Sequence, residues 1–315
     1  MKQAFLLVVG VHGLVHLLGF AKAFGLAKLE QLRQPVSRPA GLAWGLAALL
    51  LLAGAALLLA ASRWWWAPAA AGAVLSQALV LASWGDARFG TIGNAVVLLP
   101  AAIAALSQAP WGFRARYQRE VEAGLARAPA RAAMVTEADL AGLPEPVQRY
   151  LRFTGAVGKP RTWDYRLRFR GGFRERPGSP WMPVVVDQHS FADPPARLFL
   201  IEASRFGLPL VAFHRYVGPE ATFEVKVASL FTVVDARGPE MNRSETVTLL
   251  NDMCLLAPST LLGPGLRWEE VDPRTVRVRW ENAGNQVGAV LVFDDAGALS
   301  SFASEDRSMS LDGKT

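Results

Sequence analysis

The C-terminal half of the chain holds a small set of side chains that could carry out acid–base chemistry. They are His214, Glu240, Glu245 and Asp252. A histidine and a carboxylate within reach of a substrate are a common pair for proton transfer. On a helix, Glu245 and Asp252 would be two turns apart, ~10 Å by rise, which is too far for them to share one proton. The alternative is that the carboxylates are cap and surface groups paired with Arg243 or Arg215, and that His214 points inward to bond a carboxylate.

Two histidines in the first apolar segment could ligate a metal. His12 and His16 are one helical turn apart and so share a face, and neutral imidazoles are good ligands for zinc or haem iron. No other apolar segment of residues 1–110 contains a histidine or a cysteine. Hydrogen bonding between helices is therefore the favoured interpretation, as it is for Asn94. We expect no metal and no cofactor, while these three residues remain candidate intramembrane polar sites.

The histidine pair belongs to the first of four apolar segments of membrane-spanning length. They cover residues 4–21, 41–62, 64–84 and 89–109. About 20 apolar residues in a helix cross the ~30 Å hydrocarbon core, and helices satisfy their own backbone there. Residues 1–110 are therefore predicted to form a four-helix transmembrane domain in a cytoplasmic membrane, with both termini on one side. Flanking arginines and lysines divide almost equally between the two sides, and the first helix favours extracytoplasmic termini.

The net charge differs between the two halves of the chain. Residues 1–139 contain 12 Lys+Arg and 6 Asp+Glu, whereas residues 140–315 contain 21 of each. The whole surplus of +6 thus accompanies the apolar segments, which indicates membrane lipids as partners and not nucleic acid. The single cysteine, Cys254, excludes an intrachain disulfide and is predicted to be a small core residue.

Residues 111–139 are predicted to be a basic amphipathic connector. Apolar residues recur there every four positions, at Phe113, Tyr117, Val121 and Leu125, with arginines between them. A helix of this kind beside a last membrane span commonly lies on lipid headgroups. A solvated linker helix is the alternative.

Residues 140–315 are predicted to form a soluble α+β domain. In residues 162–170, aromatic and aliphatic side chains alternate with charged ones, which is the period of a half-buried strand. Eight further segments, among them residues 222–234, bring the total to about nine strands. Short turns between them predict a curved antiparallel sheet covered by one or two helices.

One of these helices is expected to run from Ser244, as its N-cap, to Leu256. Val247, Leu250 and Cys254 share one face, which we expect to pack on the concave side of the sheet. Glu245 would lie exposed in the first turn. Replacing Leu250 with alanine should therefore cost far more stability than replacing Glu245.

Several motifs give this domain a resemblance to a known family. They are LPEPVQRYLRFTGAVG (residues 143–158), Trp181-Met182-Pro183 with Gln188, His214-Arg215-Tyr216-Val217-Gly218, Gly238-Pro239-Glu240, SETVTLLNDMCLLAP (residues 244–258) and Trp268-Glu269. In order and spacing, residues 140–305 resemble a domain of unknown function in uncharacterised bacterial proteins, some of which have a membrane-anchoring extension. The resemblance implies no activity. We expect the ligand-binding residues in and beside these motifs, at Trp181, Gln188, His214, Arg215, Tyr216, Arg243, Asn251 and Asp252.

Three functions are compatible with these features. The first is a membrane-anchored, non-enzymatic module whose curved sheet holds an apolar or amphipathic ligand such as a lipid. The second is a membrane-bound enzyme that uses His214 with Glu240, Glu245 or Asp252. The third is a scaffold that recruits a protein partner through the helical bundle. A wide apolar cavity inside the sheet would favour binding, a small cleft with convergent His, Glu and Arg would favour catalysis, and a filled core would favour the scaffold.

Overall fold

The computed structural model describes residues 2–29, 32–174, 176–205 and 208–308. The chain forms two compact units, residues 1–112 and residues 113–315. The last seven residues of the predicted soluble domain, 309–315, lie outside the described residues.

The first unit is built from apolar helices. They are α1 (Lys2–Ala23), α2 (Arg38–Leu59), α3 (Trp66–Ala82), α4 (Trp84–Ala87) and α5 (Gly90–Ser107). Three helices are long and apolar enough to cross a membrane, Gln3–Ala23, Arg38–Leu59 and Gly90–Ser107. The four spans of the prediction are not matched, because α3 has only 17 residues and rises ~25 Å. The backbone leaves helical geometry at Ser83, with φ −120° and ψ 37°, and α4 starts separately.

The second unit combines helices and strands in its described residues. The α-helices are α6 (Phe113–Leu125), α7 (Glu145–Phe153) and α8 (Pro239–Leu256). Two short 3₁₀ helices cover Glu137–Leu140 and Pro258–Leu262. The strands are β1 (Asp164–Phe173), β2 (Met182–Ala192), β3 (Pro195–Arg205), β4 (Leu208–Val217), β5 (Glu220–Val227), β6 (Phe231–Arg237), β7 (Leu266–Asp272), β8 (Thr275–Asn282), β9 (Asn285–Phe293) and β10 (Leu299–Ala303).

The strands form two antiparallel sheets and not the single nine-stranded sheet of the prediction. One sheet has the order β1-β2-β3-β4-β5-β6 and the other the order β10-β9-β8-β7. The extra strand comes from residues 222–234, which were predicted as one strand and fold as the β5–β6 hairpin. Its turn contains Ala228 and Ser229 at positive φ, 53° and 59°. Hairpin turns of this geometry usually contain glycine or asparagine, and residues 228–230 contain neither.

Helix α8 begins at Pro239, before the predicted N-cap Ser244. Gly238 precedes it with φ 114°, and proline suits the first position of a helix because its missing N–H has no partner there. The predicted face is nevertheless the buried one. Leu250 and Cys254 are fully buried in a core shared with α7 and the four-stranded sheet. The prediction that Cys254 is a core residue is confirmed.

Helix α6 covers one face of the six-stranded sheet, which we call the outer face. Its Phe113 and Tyr117 pack against Leu198, Leu200 and Phe213 of β3 and β4. Three of the four apolar positions of this helix, Phe113, Tyr117 and Val121, therefore pack on the sheet, whereas Leu125 is exposed. The recurrence of apolar residues every four positions predicts a helix, but it does not identify the surface that the helix covers.

Candidate functional site

The opposite face of the six-stranded sheet, the inner face, carries a gradient of polarity along its strands. Cross-strand register arranges its side chains in rows. From the end that α8 covers, the rows are Tyr165-Ser190-Arg197-Tyr216-Ala221, Leu167-Gln188-Phe199-His214-Phe223, Phe169-Val186-Ile201-Ala212-Val225, Gly171-Val184-Ala203-Leu210-Val227 and the pairs Phe173-Met182 and Arg205-Leu208. Polar groups are concentrated in the first two rows, and the third and fourth rows are apolar throughout.

The covered end contains a buried ionic cluster, made of Gln188, Arg197, Glu245 and Asp252. The Arg197 guanidinium donates through Nε to Asp252 Oδ2 (2.8 Å) and through Nη1 to Glu245 Oε2 (3.2 Å). Gln188 Nε2 donates to the same Asp252 oxygen at 2.7 Å. Arg197 and Glu245 are 6% and 3% exposed. Charges this deep persist only when they are paired and hydrogen-bonded, so each member depends on the others.

His214 adjoins this cluster. Its Nε2 lies 3.2 Å from Glu245 Oε1 but outside hydrogen-bonding geometry, and its ring centre is 5.1 Å from that of Phe223. Burial lowers the pKa of His214; Arg197 lowers it further, while Glu245 acts in the opposite direction. The imidazole is therefore kept neutral in an environment that contains two carboxylates and two arginines, Arg197 and Arg307.

Tyr165 completes the first row at the edge of the sheet. Its hydroxyl is buried without a hydrogen bond in the described structure, and burial raises the pKa of Tyr165 to about 12. A phenol with this pKa stays protonated at neutral pH, so it can donate a proton in a hydrogen bond but does not supply a charge.

The rest of the inner face forms an apolar trough with a volume of about 710 Å³. Its walls are the β2–β5 residues of the third and fourth rows, with Phe199 and Phe223 towards the ionic cluster and Phe173 and Leu208 at the far end. Phe199 connects the two regions, since the Arg197 guanidinium lies 4.3 Å from its ring centre. The trough thus runs from the ionic cluster to the end of the sheet where β1–β2, β3–β4 and β5–β6 turn.

The structure brings together some of the predicted site residues. Gln188, His214 and Asp252 meet Glu245 at the covered end. The interpretation of Glu245 as an exposed first-turn carboxylate is wrong, because α8 starts earlier and places Glu245 on the side that faces the sheet. Because Glu245 is buried and paired with Arg197, we now expect Glu245→Ala to be strongly destabilising.

The other predicted residues are not part of this cluster. Arg215 points to the outer face, where its Nε is 2.6 Å from Glu120 Oε2. Tyr216 is fully buried, and its hydroxyl is hydrogen-bonded to Thr246 at 2.7 Å. Trp181 is exposed at the far end of the trough. Glu240 and Arg243 are exposed on α8, and Asn251 is half-buried there.

Arg197 is the central residue that the sequence interpretation missed. It stands in the run Ala196–Ile201, in which its five neighbours are Ala, Leu, Phe, Leu and Ile. A single charge inside so apolar a strand requires a buried counterion, and that was the signal available. The identity of the counterions was not available from spacing, because they come from a helix about 50 residues further along the chain.

The histidines of the first unit are held by hydrogen bonds between helices. His12 Nε2 donates to Asn94 Oδ1 of α5 at 2.8 Å, and the Ser76 hydroxyl of α3 bonds His16 Nε2 at 2.6 Å. Asn94 Nδ2 in turn donates to Gln77 Oε1 at 2.9 Å. The two rings therefore bond different helices. Within the described residues, no group of three or more His, Cys, Asp or Glu side chains could hold a metal ion.

Comparison with known proteins places the second unit in a family but gives it no activity. No curated protein and no solved structure matches the chain. Residues 133–315, more than half of the chain, match a family of unknown function, DUF6544. The match begins just after α6 and includes α7, both sheets and α8, and with them the ionic cluster and the trough. The chain therefore belongs to the DUF6544 family.

Proposed function

We propose that the second unit binds an apolar or amphipathic ligand, such as a lipid, in the apolar trough. The observation that carries this proposal is the trough itself, about 710 Å³ of apolar space on the inner face of the sheet. Pockets for small molecules and cofactors usually enclose 300–1,000 Å³. Apolar area that is exposed to water is unfavourable, so an open apolar surface of this size indicates a ligand or partner that covers it.

The charges favour one orientation of an amphipathic ligand. Arg197 is already shared by two carboxylates, so its charge is not available to an anionic headgroup at the covered end. Arg174 and Arg176 are exposed beside the far end of the trough instead, so an acyl chain would lie along the third and fourth rows with its head at that end.

We further propose that the apolar helices of the first unit anchor the chain in a membrane. The length and hydropathy of three helices support this, and α3 determines the topology. If α3 also crosses, reporter fusions after residue 35 and after residue 140 lie in opposite compartments. If only α1, α2 and α5 cross, the two fusions lie in the same compartment. Failure of both reporters to become membrane-associated would contradict the anchor.

Ligand binding is tested by filling the trough. Ala203 lines it, whereas its neighbour Ser204 is exposed on the outer face, because successive strand residues point to opposite faces. Ala203→Trp and Ser204→Trp therefore make a matched pair. We expect native mass spectrometry of the purified full chain to show bound lipid in the wild type and Ser204→Trp, and a loss of it in Ala203→Trp.

A fluorescent fatty acid gives a second measurement. The apolar helices also bind such a probe, so the informative quantity is the difference between the two tryptophan variants. Equal probe binding by Ala203→Trp and Ser204→Trp, together with equal lipid masses, would show that the trough is not the site.

A second candidate function, an enzymatic one, rests on the 3.2 Å approach of His214 to Glu245. A neutral imidazole next to a carboxylate can accept a proton, and the pair borders the trough where a bound ligand would end. If the protein is an enzyme, the wild type should convert a component of a total lipid extract. His214→Gln should abolish that conversion and leave lipid binding intact. Unchanged lipid masses after incubation with the wild type would leave binding alone as the function.

A further inference from the structure

The far end of the trough is an edge of the sheet at which three hairpins turn. Register pairs Phe173 with Met182, Arg205 with Leu208 and Val227 with Phe231. Strands β1, β3 and β5 therefore end, and strands β2, β4 and β6 begin, at the same end of the six-stranded sheet. We call the described residues at this end, 173–174, 176–182, 205, 208 and 227–231, the hairpin edge.

The hairpin edge exposes large apolar side chains at each of its three strand pairs. Trp181 is 62% exposed, Leu208 48%, Leu230 52% and Phe231 67%. Phe173 is 52% exposed on the same edge. Single exposed apolar residues are common, but a contiguous group of them marks a surface that contacts a partner.

The charges of the hairpin edge are mainly positive. Arg174, Arg176 and Arg205 are exposed there, and Glu175 is the acidic residue of the same sequence segments. The Arg174 guanidinium lies 4.6 Å from the ring centre of Trp181. Tryptophan beside arginine is typical of a surface at the level of lipid headgroups, where the ring partitions into the interface and the guanidinium binds phosphate.

The chain enters the second unit at this edge. Helix α6 starts with Phe113, whose ring lies 4.6 Å from Lys226 Nζ, and Arg114 forms an ion pair with Glu202. Both partners are close to the turns that end β3 and β5. The other end of α6 lies at Phe191, where a Cβ on Gly124 would clash with the ring. Helix α6 therefore begins at the hairpin edge and leads away from it, and its N-terminus follows α5 by a few residues in sequence.

We propose that the hairpin edge docks on a lipid bilayer that contains anionic headgroups. The aromatic and aliphatic side chains of the turns insert into the interface, and the arginines bind the phosphates. This docking brings the open end of the trough to the bilayer, so it specifies where the ligand of the proposed function enters. The docking proposal rests on the membrane anchor of the proposed function, but it does not require a ligand in the trough.

Docking is measured on the full chain in liposomes. Leu230→Cys, labelled with an environment-sensitive dye, reports on the hairpin edge. Ala283→Cys, in the exposed β8–β9 turn of the other sheet, is the matched control. The native Cys254 is buried, and burial raises the pKa of its thiol to about 12, so it reacts slowly with the label. The quencher is a spin-labelled lipid in liposomes of neutral lipid, with or without phosphatidylglycerol.

We expect quenching at residue 230 to exceed quenching at residue 283 several-fold with phosphatidylglycerol present. Quenching should weaken in neutral liposomes and when Arg174→Gln and Arg176→Gln are combined. Equal quenching at both positions, or quenching at residue 230 that does not depend on the anionic lipid, would overturn the proposal and favour a protein partner for this edge. The Ala203→Trp variant separates the two proposals, because it should lose bound lipid and keep the quenching.

Discussion

The two faces of the six-stranded sheet are covered to different extents. On the outer face, α6 covers β3 and β4, and Leu198, Leu200 and Phe213 are no more than 3% exposed. On the inner face, α8 covers only the end with the ionic cluster, and the remaining apolar rows form the trough. The same chain thus closes one apolar surface and leaves another open. An apolar surface that folding leaves uncovered points to a ligand, whereas a covered one contributes to stability.

Removing the cover of the outer face should have the largest effect. A fragment of residues 113–315 retains α6, whereas a fragment of residues 135–315 exposes Leu198, Leu200 and Phe213. The prediction of a soluble domain over residues 140–315 implies that the shorter fragment is soluble. From the packing of α6, we expect the longer fragment to be soluble and to melt cooperatively, and the shorter one to aggregate, as judged by size-exclusion chromatography and circular dichroism. Equal solubility and equal melting would mean that α6 is a linker.

Replacing two arginines of β3 compares how much the covered end and the open end of the inner face contribute to stability. Arg197→Met leaves two buried carboxylates without their shared partner and should cost about 3–5 kcal/mol of unfolding free energy. Arg205→Met, on the same strand and face but exposed at the hairpin edge, should change it by no more than about 0.5 kcal/mol. Urea denaturation of the 113–315 fragment measures both. Similar losses would show that the mouth of the trough is as integrated into the fold as the ionic cluster.

Local patterns predicted the elements better than their partners. The alternation in residues 162–170 located β1, and helical spacing identified the buried face of α8. The division of residues 222–234 was missed because Ala228 and Ser229 form a turn without glycine or asparagine. The trough was not predictable in detail, since it depends on the register of several strands. Arg197 was missed because its counterions lie far along the chain. The packing of α6 on the sheet was missed because periodicity does not identify the surface that a helix covers.

Loss of apolar side chains should also distinguish the covered from the open part of the inner side. Leu250 is fully buried in the core beneath α8, so Leu250→Ala creates an enclosed cavity and should cost about 2–5 kcal/mol. Ile201 is half-buried and already borders the open trough. Ile201→Ala only widens that space and should cost about 1–2 kcal/mol, less than full burial of the side chain contributes. The same denaturation experiment ranks them, and an equal cost would indicate that the trough is closed in solution.

The smallest expected effect is a pH dependence at the junction of the two regions. The pKa of His214 is lowered in the folded state, by burial first and then by Arg197 and Arg307, against the opposing effect of Glu245. An unfolded histidine titrates near pH 6.5. Above that pH both states are neutral and His214 contributes no pH dependence. Below it the unfolded state binds a proton first, so the folded state loses stability as the pH falls towards the lowered pKa.

We therefore expect wild type to lose stability between pH 7 and 5 relative to His214→Gln, in denaturation of the 113–315 fragment. A parallel loss in both proteins would place the titrating group elsewhere, whereas a gain in the wild type would mean that Glu245 outweighs burial and holds His214 protonated beside the trough.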